Sequence, residues 1–178
     1  ILDSNGIIDS GEITLFYKDE NGKYSKLKQH NVDTGLGLER MTMLLQGKET
    51  PFETELFAPI MDKLVELQKI DNIASRRIVA EHLRSSMMIV SDGGRPSNLD
   101  RGYVLRRLIR RAIRHARNLN IDINSNWEEQ IANLIIEKYA KYYDELVENK
   151  EVVLDVLKNE KQKFAKTLEK GLKEFDKK

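Results

Sequence analysis

The sequence predicts an α+β fold in which a short β-hairpin is followed by a mostly α-helical bundle. The clear β-pattern lies near the start, where two β-prone runs, residues 13–18 and 24–28, flank Asn21-Gly22. An Asn-Gly pair between such runs is a strong hairpin signal. From Pro51 onward, apolar residues recur at helical spacing nearly to the end. Only 3 of the 178 residues are proline and 33 % are charged, which favours a helix-rich, soluble chain.

Composition excludes several kinds of site and location. The chain has no cysteine, which excludes disulfides and thiolate metal sites, and only 3 histidines, so we predict no metal site. No apolar run approaches the roughly 20 residues that span a bilayer. A cytoplasmic protein without membrane contact is therefore expected. Because the first residue is not methionine and no leader pattern follows, a fragment or processed chain is expected as well.

The first helices follow from apolar spacing and from turn residues. After a loop over residues 30–37, Leu38, Met41, Leu44 and Leu45 predict an amphipathic helix that Gly47 ends. A second helix is predicted over residues 53–70, with inward positions at Leu56, Phe57, Ile60, Leu64 and Leu67. A third is predicted over residues 75–90, with Ser75 as its N-cap.

The carboxyl-terminal third is rich in Lys and Glu but keeps a helical apolar stripe. Its members recur at spacings of three, four or seven, namely Leu146, Val153, Leu157, Phe164, Leu168, Leu172 and Phe175. A coiled-coil seam could produce this stripe. Because its heptad is irregular, packing against the preceding helices is favoured.

Between these regions lies a strongly basic helix. Seven arginines fall within seventeen residues that contain no Asp or Glu, at positions Arg101, Arg106, Arg107, Arg110, Arg111, Arg114 and Arg117. One apolar stripe runs through the same segment, at Leu105, Leu108, Ile109, Ala112 and Ala116. Like charges four residues apart repel by a few tenths of a kcal/mol, so the pattern favours a bound polyanion, best a nucleic-acid backbone. The alternative is a solvated basic face.

Two loops carry residues suited to binding. Residues 31–41 form a glycine-rich loop that enters a helix, where free amides and Arg40 could hold phosphate oxygens. A plain strand-to-helix turn, with Asp33 as a turn residue or N-cap, is the alternative. Residues 92–100 precede the basic helix and include Asn98, whose amide has a donor and an acceptor and could read a base edge. Its alternative is a turn Asn bonded to its own backbone.

These segments carry a family resemblance. Asp33-Thr34-Gly35-Leu36-Gly37-Leu38-Glu39-Arg40 resembles motif 3 of the class II aminoacyl-tRNA synthetases, in the form found in alanyl-tRNA synthetases. Residues 76–82, 92–98 and 101–115 resemble the tRNA-recognition domain of the same enzymes, in the same order, and the resemblance covers residues 12–178. It implies that residues 1–50 are the end of a catalytic domain, with the hairpin a remnant of its antiparallel sheet. Residues 51–178 would then begin the helical tRNA-recognition domain.

The resemblance also implies roles for single residues. Arg40 would be catalytic and grip ATP phosphate, with Gly37 and Glu39 shaping the nucleotide site. Asp33 would take the amino group of alanine and Gly35 would line that pocket. Asn98 would help to recognise the G·U wobble pair of the alanine tRNA acceptor stem. The acceptor-stem backbone would be held by the arginines Arg101, Arg106, Arg107, Arg110, Arg111 and Arg114.

The implied activity is that of an alanine-tRNA ligase, with ATP, Mg²⁺, alanine and alanine tRNA as its cofactors and partners. Mg²⁺ is expected to be bound mainly by other parts of the catalytic domain. Motifs 1 and 2 do not occur in the sequence, so a second polypeptide or a missing region is expected to supply them. A tRNA-binding module without catalysis remains an alternative. A helical DNA-binding or coiled-coil protein is a third, but it leaves residues 33–40 unexplained.

Overall fold

The computed structural model of the chain describes residues 16–26 and 37–175. Two compact units divide the chain, residues 1–41 and residues 42–178. The described secondary structure runs in the order β1 (Phe16–Lys18), β2 (Tyr24–Lys26), α1 (Leu38–Leu45), a 3-10 turn (Pro51–Glu53), α2 (Ala58–Leu67), α3 (Ile73–Ser91), α4 (Asp100–Asn118), α5 (Trp127–Tyr139), α6 (Asp144–Glu148) and α7 (Lys150–Phe175).

Strands β1 and β2 form the hairpin that the sequence predicts. They pair antiparallel, with Tyr17 opposite Ser25. The turn is closed by Asp19, whose carboxylate accepts hydrogen bonds from the backbone N–H groups of Asn21 at 2.9 Å and Lys23 at 2.8 Å. Gly22 takes a φ of +80°, which a side chain would disfavour. Residues 13–15 and 27–28 of the predicted strands lie outside the described residues.

Helix α1 also begins and ends where the sequence indicates. Gly37, at φ +83°, precedes it, and its carbonyl accepts from the Met41 N–H at 3.1 Å. At the other end Gly47 has a φ of +60°, and the Lys48 N–H bonds back to the Met43 carbonyl at 2.9 Å. Of the loop predicted over residues 30–37, only Gly37 belongs to the part of the chain that the structure describes.

Helices α2 to α7 build one bundle around α3, which contacts each of the other five. Its core includes Leu64, Leu83, Met87, Trp127 and other side chains with almost no exposure. The apolar stripe of α4 is buried as predicted, apart from the half-buried Leu108, and Ile113 joins it. None of the helices in the described ranges is long and apolar enough to cross a lipid bilayer.

Two predicted helix starts are wrong. The helix predicted from residue 53 begins at Ala58, because a 3-10 turn ends at Thr54 and Pro59, which lacks an N–H, suits only the first turn. The helix predicted from Ser75 begins at Ile73. Its N-cap is Asn72, whose side chain accepts from the Ser75 N–H at 2.9 Å, while Ser75 itself is buried.

As far as residue 167, the carboxyl-terminal stripe packs onto the bundle, as the sequence favours. The side chains of its last members, Leu168, Leu172 and Phe175, lie outside the part of the chain whose side chains are described. Leu146, Val153 and Leu157 are buried and Phe164 packs against the core. Helix α7 contacts α3, α4 and α5. This packing brings α7 beside the basic helix.

Candidate nucleic-acid interface

The arginines of α4 fall into two groups with different surroundings. Arg107, Arg111 and Arg114 are exposed, and their spacing of four and three residues places them on one face. Arg101, in the first turn, is exposed as well. The predicted phosphate-binding residues Arg106 and Arg110 instead face α7, and their side chains are only 20 % and 33 % exposed.

A buried carboxylate from α7 explains this second group. Glu160 is 2 % exposed, and its Oε1 accepts a hydrogen bond from Arg110 Nε at 2.7 Å. The Nε of Arg106 lies 3.3 Å from the same oxygen, as an ion pair without hydrogen-bond geometry. Part of the repulsion expected within the basic helix is therefore offset inside the protein. The sequence carried a signal for this residue, because Glu160 lies in phase with the apolar positions Leu157 and Phe164.

The exposed arginines border a groove between α3, α4 and α7. Its volume is about 480 Å³, and it is lined by His82, Val104, Arg107, Leu108, Arg110, Arg111, Arg114 and Phe164. The guanidinium of Arg110 lies over the Phe164 ring, 5.4 Å from its centre. Near the amino-terminal end of α4, the guanidinium of Arg107 lies 5.7 Å from the ring centre of the half-exposed Tyr103. The groove thus combines positive charge with apolar and aromatic surface, which suits a polyanion that also presents bases or riboses.

The neutral form of His115, which lies between α4 and α3, is favoured by its surroundings. Burial lowers the pKa of His115, and the charges of Arg114, Arg111 and His82 lower it further. Its Nδ1 lies 3.0 Å from the Ser75 hydroxyl, so α3 and α4 are joined by a neutral hydrogen bond at this point. The positive charge of the surface is therefore carried by the arginines.

The loop before α4 is fixed by close backbone contacts. Ser97 N–H donates to the Gly102 carbonyl at 3.0 Å, and the Ser97 hydroxyl donates to the Leu99 carbonyl at 2.7 Å. A Cβ on Gly102 would come within 2.3 Å of the Ser97 oxygen and 2.6 Å of the Arg95 carbonyl. The Arg95 guanidinium in turn donates to the Val90 carbonyl at 3.0 Å. Residues 95–99 are thus tied to the ends of both α3 and α4.

Asn98 lies exposed at the tip of this fixed loop. Its Oδ1 accepts a hydrogen bond from Arg106 Nη1, and the other terminal nitrogen of Arg106 donates to the Pro96 carbonyl at 3.3 Å. Among the described residues, Asn98 makes no bond to its own backbone, so the turn-residue alternative is not what the structure shows. Local side-chain hydrogen bonds to the loop backbone are made by Ser97 and Arg95 instead.

The predicted nucleotide-site residues are described only in part. Gly37 precedes α1, Glu39 lies in its first turn, and Arg40 is exposed. Asp33 and Gly35 lie outside the described residues. Within residues 16–26 and 37–175, no three His, Asp or Glu side chains converge in a way that could hold a metal ion. The described residues therefore offer an arginine for a phosphate but no ligand set for Mg²⁺.

Comparison with known proteins gives a consistent result. The sequence profile of a family described as tRNA synthetases class II (A) matches residues 13–178. An alanine–tRNA ligase from Thermotoga sp. (strain RQ2) is 40 % identical over 169 residues, which are 92 % of this chain and 19 % of the ligase. The alanine–tRNA ligase of Desulfitobacterium hafniense (strain Y51) is 43 % identical over 88 % of this chain and 18 % of its own length.

A third relative is an alanine–tRNA ligase from Borrelia hermsii (strain HS1 / DAH), 41 % identical over 90 % of this chain and 28 % of its own length. The chain thus spans between 18 % and 28 % of the length of these curated relatives.

Proposed function

This chain belongs to the family of class II (A) tRNA synthetases, and we propose that it is the segment of an alanine–tRNA ligase that binds the tRNA acceptor stem and contacts ATP. The proposed reaction joins alanine to ATP as an alanyl adenylate with release of pyrophosphate, and then transfers the alanyl group to the 3′ end of alanine tRNA with release of AMP. Motifs 1 and 2 of the catalytic domain would be supplied by protein outside these 178 residues, in the same or a second polypeptide.

The observation that carries the acceptor-stem proposal is the placement of Asn98. A single uncharged amide lies exposed on a loop that is tied to α3 and α4, and the arginines of α4 follow it directly. Arginines that contact the phosphate backbone of a nucleic acid set the affinity and the position of the protein on it, whereas a side-chain amide can distinguish one base from another. A fixed amide beside a basic face is thus the arrangement that reading a base pair requires.

The chemistry of the amide narrows what it would read. A guanidinium only donates hydrogen bonds, so the atom of Asn98 that meets Arg106 must be the carbonyl oxygen. The Nδ2 amino group then remains to donate to a ligand. In the shallow minor groove of an RNA duplex, the atoms that can accept a hydrogen bond from this amino group are the O2 and N3 atoms of the bases and the 2′-hydroxyl of the ribose. A G·U wobble pair displaces these atoms from their Watson–Crick positions, so a fixed donor could tell it from G·C.

On the catalytic side, we propose that Arg40 holds ATP phosphate, with Gly37 and Glu39 shaping the nucleotide site. Arg40 is exposed in the first turn of α1, where the first helical amides also favour an anion. Asp33 and Gly35 would bind the amino group and the methyl side of alanine. Mg²⁺, when bound, neutralises phosphate charge, and its ligands would come from other parts of the catalytic domain. Charge neutralisation and positioning suffice for this reaction, without a covalent nucleophile.

The test is the choice between G·U and G·C acceptor stems. Asn98→Ala is expected to weaken the preference for G·U by about 1 to 3 kcal/mol, the value of a good base contact. Binding to an unrelated RNA duplex should change little, because Asn98 carries no charge. Dissociation constants for both stems would be measured for the wild type and the variant. A variant that keeps the full preference would refute the proposed reading of the stem.

A further inference from the structure

The buried carboxylate of Glu160 is joined to the exposed amide of Asn98 through one arginine. Glu160 comes from α7, more than fifty residues after the loop. Its Oε1 lies 3.3 Å from Arg106 Nε, and the far end of the same guanidinium donates to Asn98 Oδ1 and to the Pro96 carbonyl. Three elements therefore meet in this one side chain.

The shape of the guanidinium makes this connection directional. Its five N–H groups form a rigid planar fork, so its Nε edge and its terminal nitrogens turn together. Glu160 places its negative charge beside the Nε edge of Arg106, and the terminal nitrogens of Arg106 contact Pro96 and Asn98 of the loop. Holding the Nε edge therefore sets where the terminal nitrogens lie, and with them the Asn98 carbonyl oxygen.

A second ion pair shows that this arrangement goes beyond simple charge balance. Glu128 and Lys161, also buried, form a pair between α5 and α7 at 2.5 Å with one cation for one carboxylate. Glu160 instead receives two arginines, and Arg110 alone makes the short 2.7 Å hydrogen bond. Arg106 gives its own hydrogen bonds to the loop, which a pair that served only to join α4 and α7 would not need.

We propose that Glu160 is a positioning residue that acts through Arg106 to hold the Asn98 amide with its donor end outward. Helix α7 thereby helps to set the base-pair preference of a loop that it does not form. The effect on nucleic-acid choice rests on the proposed function, whereas the effect on the amide itself does not. Two measurements separate these levels.

The first measurement is made on the free chain by NMR. The side-chain amide resonances of Asn98, identified by their loss in Asn98→Asp, are expected to move in Glu160→Gln, which keeps the size of the side chain but removes its charge. The matched control is Glu128→Gln, which breaks the other buried pair and should leave these resonances in place. Unmoved Asn98 resonances in a folded Glu160→Gln variant would overturn the proposal.

Glu160→Asp extends the test in case the glutamine variant does not fold. Aspartate keeps the negative charge, but its side chain is shorter by one methylene group. The carboxylate should therefore lose its longer contact, the one of 3.3 Å with Arg106, before it loses the 2.7 Å hydrogen bond from Arg110. The same movement of the Asn98 resonances is expected, and their constancy would again count against the proposal.

The second measurement is the ratio of dissociation constants for G·U and G·C acceptor-stem duplexes. A ratio is used because removing Glu160 adds positive charge and should strengthen binding to both. The ratio measured for Glu160→Gln is expected to lie within about twofold of the ratio for Asn98→Ala. The variant that carries both substitutions should show no further loss of preference, because the two residues act in one chain of contacts. Glu128→Gln should keep the wild-type ratio.

The outcomes distinguish the two proposals. If Asn98→Ala loses the preference while Glu160→Gln keeps it, the positioning role is wrong and the proposed function stands. If the wild type itself shows no preference, the proposed reading of the stem fails. The NMR result then decides the positioning role alone.

Discussion

Replacing Arg107, Arg111 and Arg114 together by Gln should reduce the salt dependence of RNA binding by a calculable amount. These three arginines are exposed on one face, whereas Arg106 and Arg110 are already paired with Glu160. From the first to the third is seven residues, or about 10 Å along a helix. A span of this length can lie along successive phosphates of one strand, so each of the three arginines is counted against one phosphate, about three in all.

The magnitude follows from counterion release. Each neutralised phosphate contributes about 0.7 to 0.9 to the slope of log affinity against log salt concentration. Three contacts contribute about 2.1 to 2.7. Between about 50 and about 200 mM salt, the wild type should therefore lose about 20- to 40-fold more affinity than the triple variant.

The assay is fluorescence anisotropy with a labelled acceptor-stem duplex over a salt series, with circular dichroism to check folding. A control variant should lose the same charge elsewhere, at the exposed residues Lys48, Lys141 and Lys158. Its slope should stay near that of the wild type, because none of these lysines lines the groove. If the two variants have equal slopes, the exposed arginines are a solvated face and the assigned interface is wrong.

Three further predictions concern the loop, the buried histidine and the nucleotide site. Gly102→Ala should lower the free energy of unfolding by about 1 to 3 kcal/mol in chemical denaturation, because its Cβ would collide with Ser97, whereas Val104→Ala on the exposed side of α4 should cost about 0.5 kcal/mol or less. The pKa of His115 is held below its usual 6.5, so as the pH falls the unfolded chain binds a proton at this residue before the folded chain does. The free energy of unfolding should therefore decrease as the pH drops below 6.5. Melting curves of His115→Asn at several pH values should lack this part of the pH dependence. In a ligase that carries this segment, Arg40→Ala should lower alanine-dependent ATP–pyrophosphate exchange by about 10- to 150-fold, from the loss of a charge-assisted contact of about 1.5 to 3 kcal/mol; exchange at the wild-type rate would exclude Arg40 from the ATP site.

Local chemistry predicted the described hairpin, the end of α1 and the buried stripe of α4. Each of these depends on residues within a few positions of one another, as when Gly47 permits a positive φ just after the last apolar position. The cap of α3 was missed although it is also local. Asn72 and Ser75 are both good N-caps, and the three-residue spacing that lets one side chain reach the other's N–H decided between them.

The sequence indicated which residue types form the candidate site, but not which arginines are exposed and which are paired inside the protein. Charge density made α4 a candidate binding helix, yet it could not separate the exposed arginines from those that face α7. That separation depends on Glu160, which becomes a partner only when α7 packs beside α4. The phase of Glu160 within an apolar stripe indicates burial, but not which cation would meet it.

The sequence by itself determined that the chain after Pro51 is mostly helical, which face of α4 is apolar, and that a loop containing the amide of Asn98 precedes a basic helix. Those features follow from spacings of three and four residues and from turn chemistry. Only the tertiary structure decided that Arg106 connects Glu160 to Asn98 and that the Asn98 carbonyl oxygen is the end that is held. The physical reason is that hydrogen-bond partners fifty residues apart are chosen by the geometry of helix packing, and periodicity fixes a residue's face without fixing what lies opposite it.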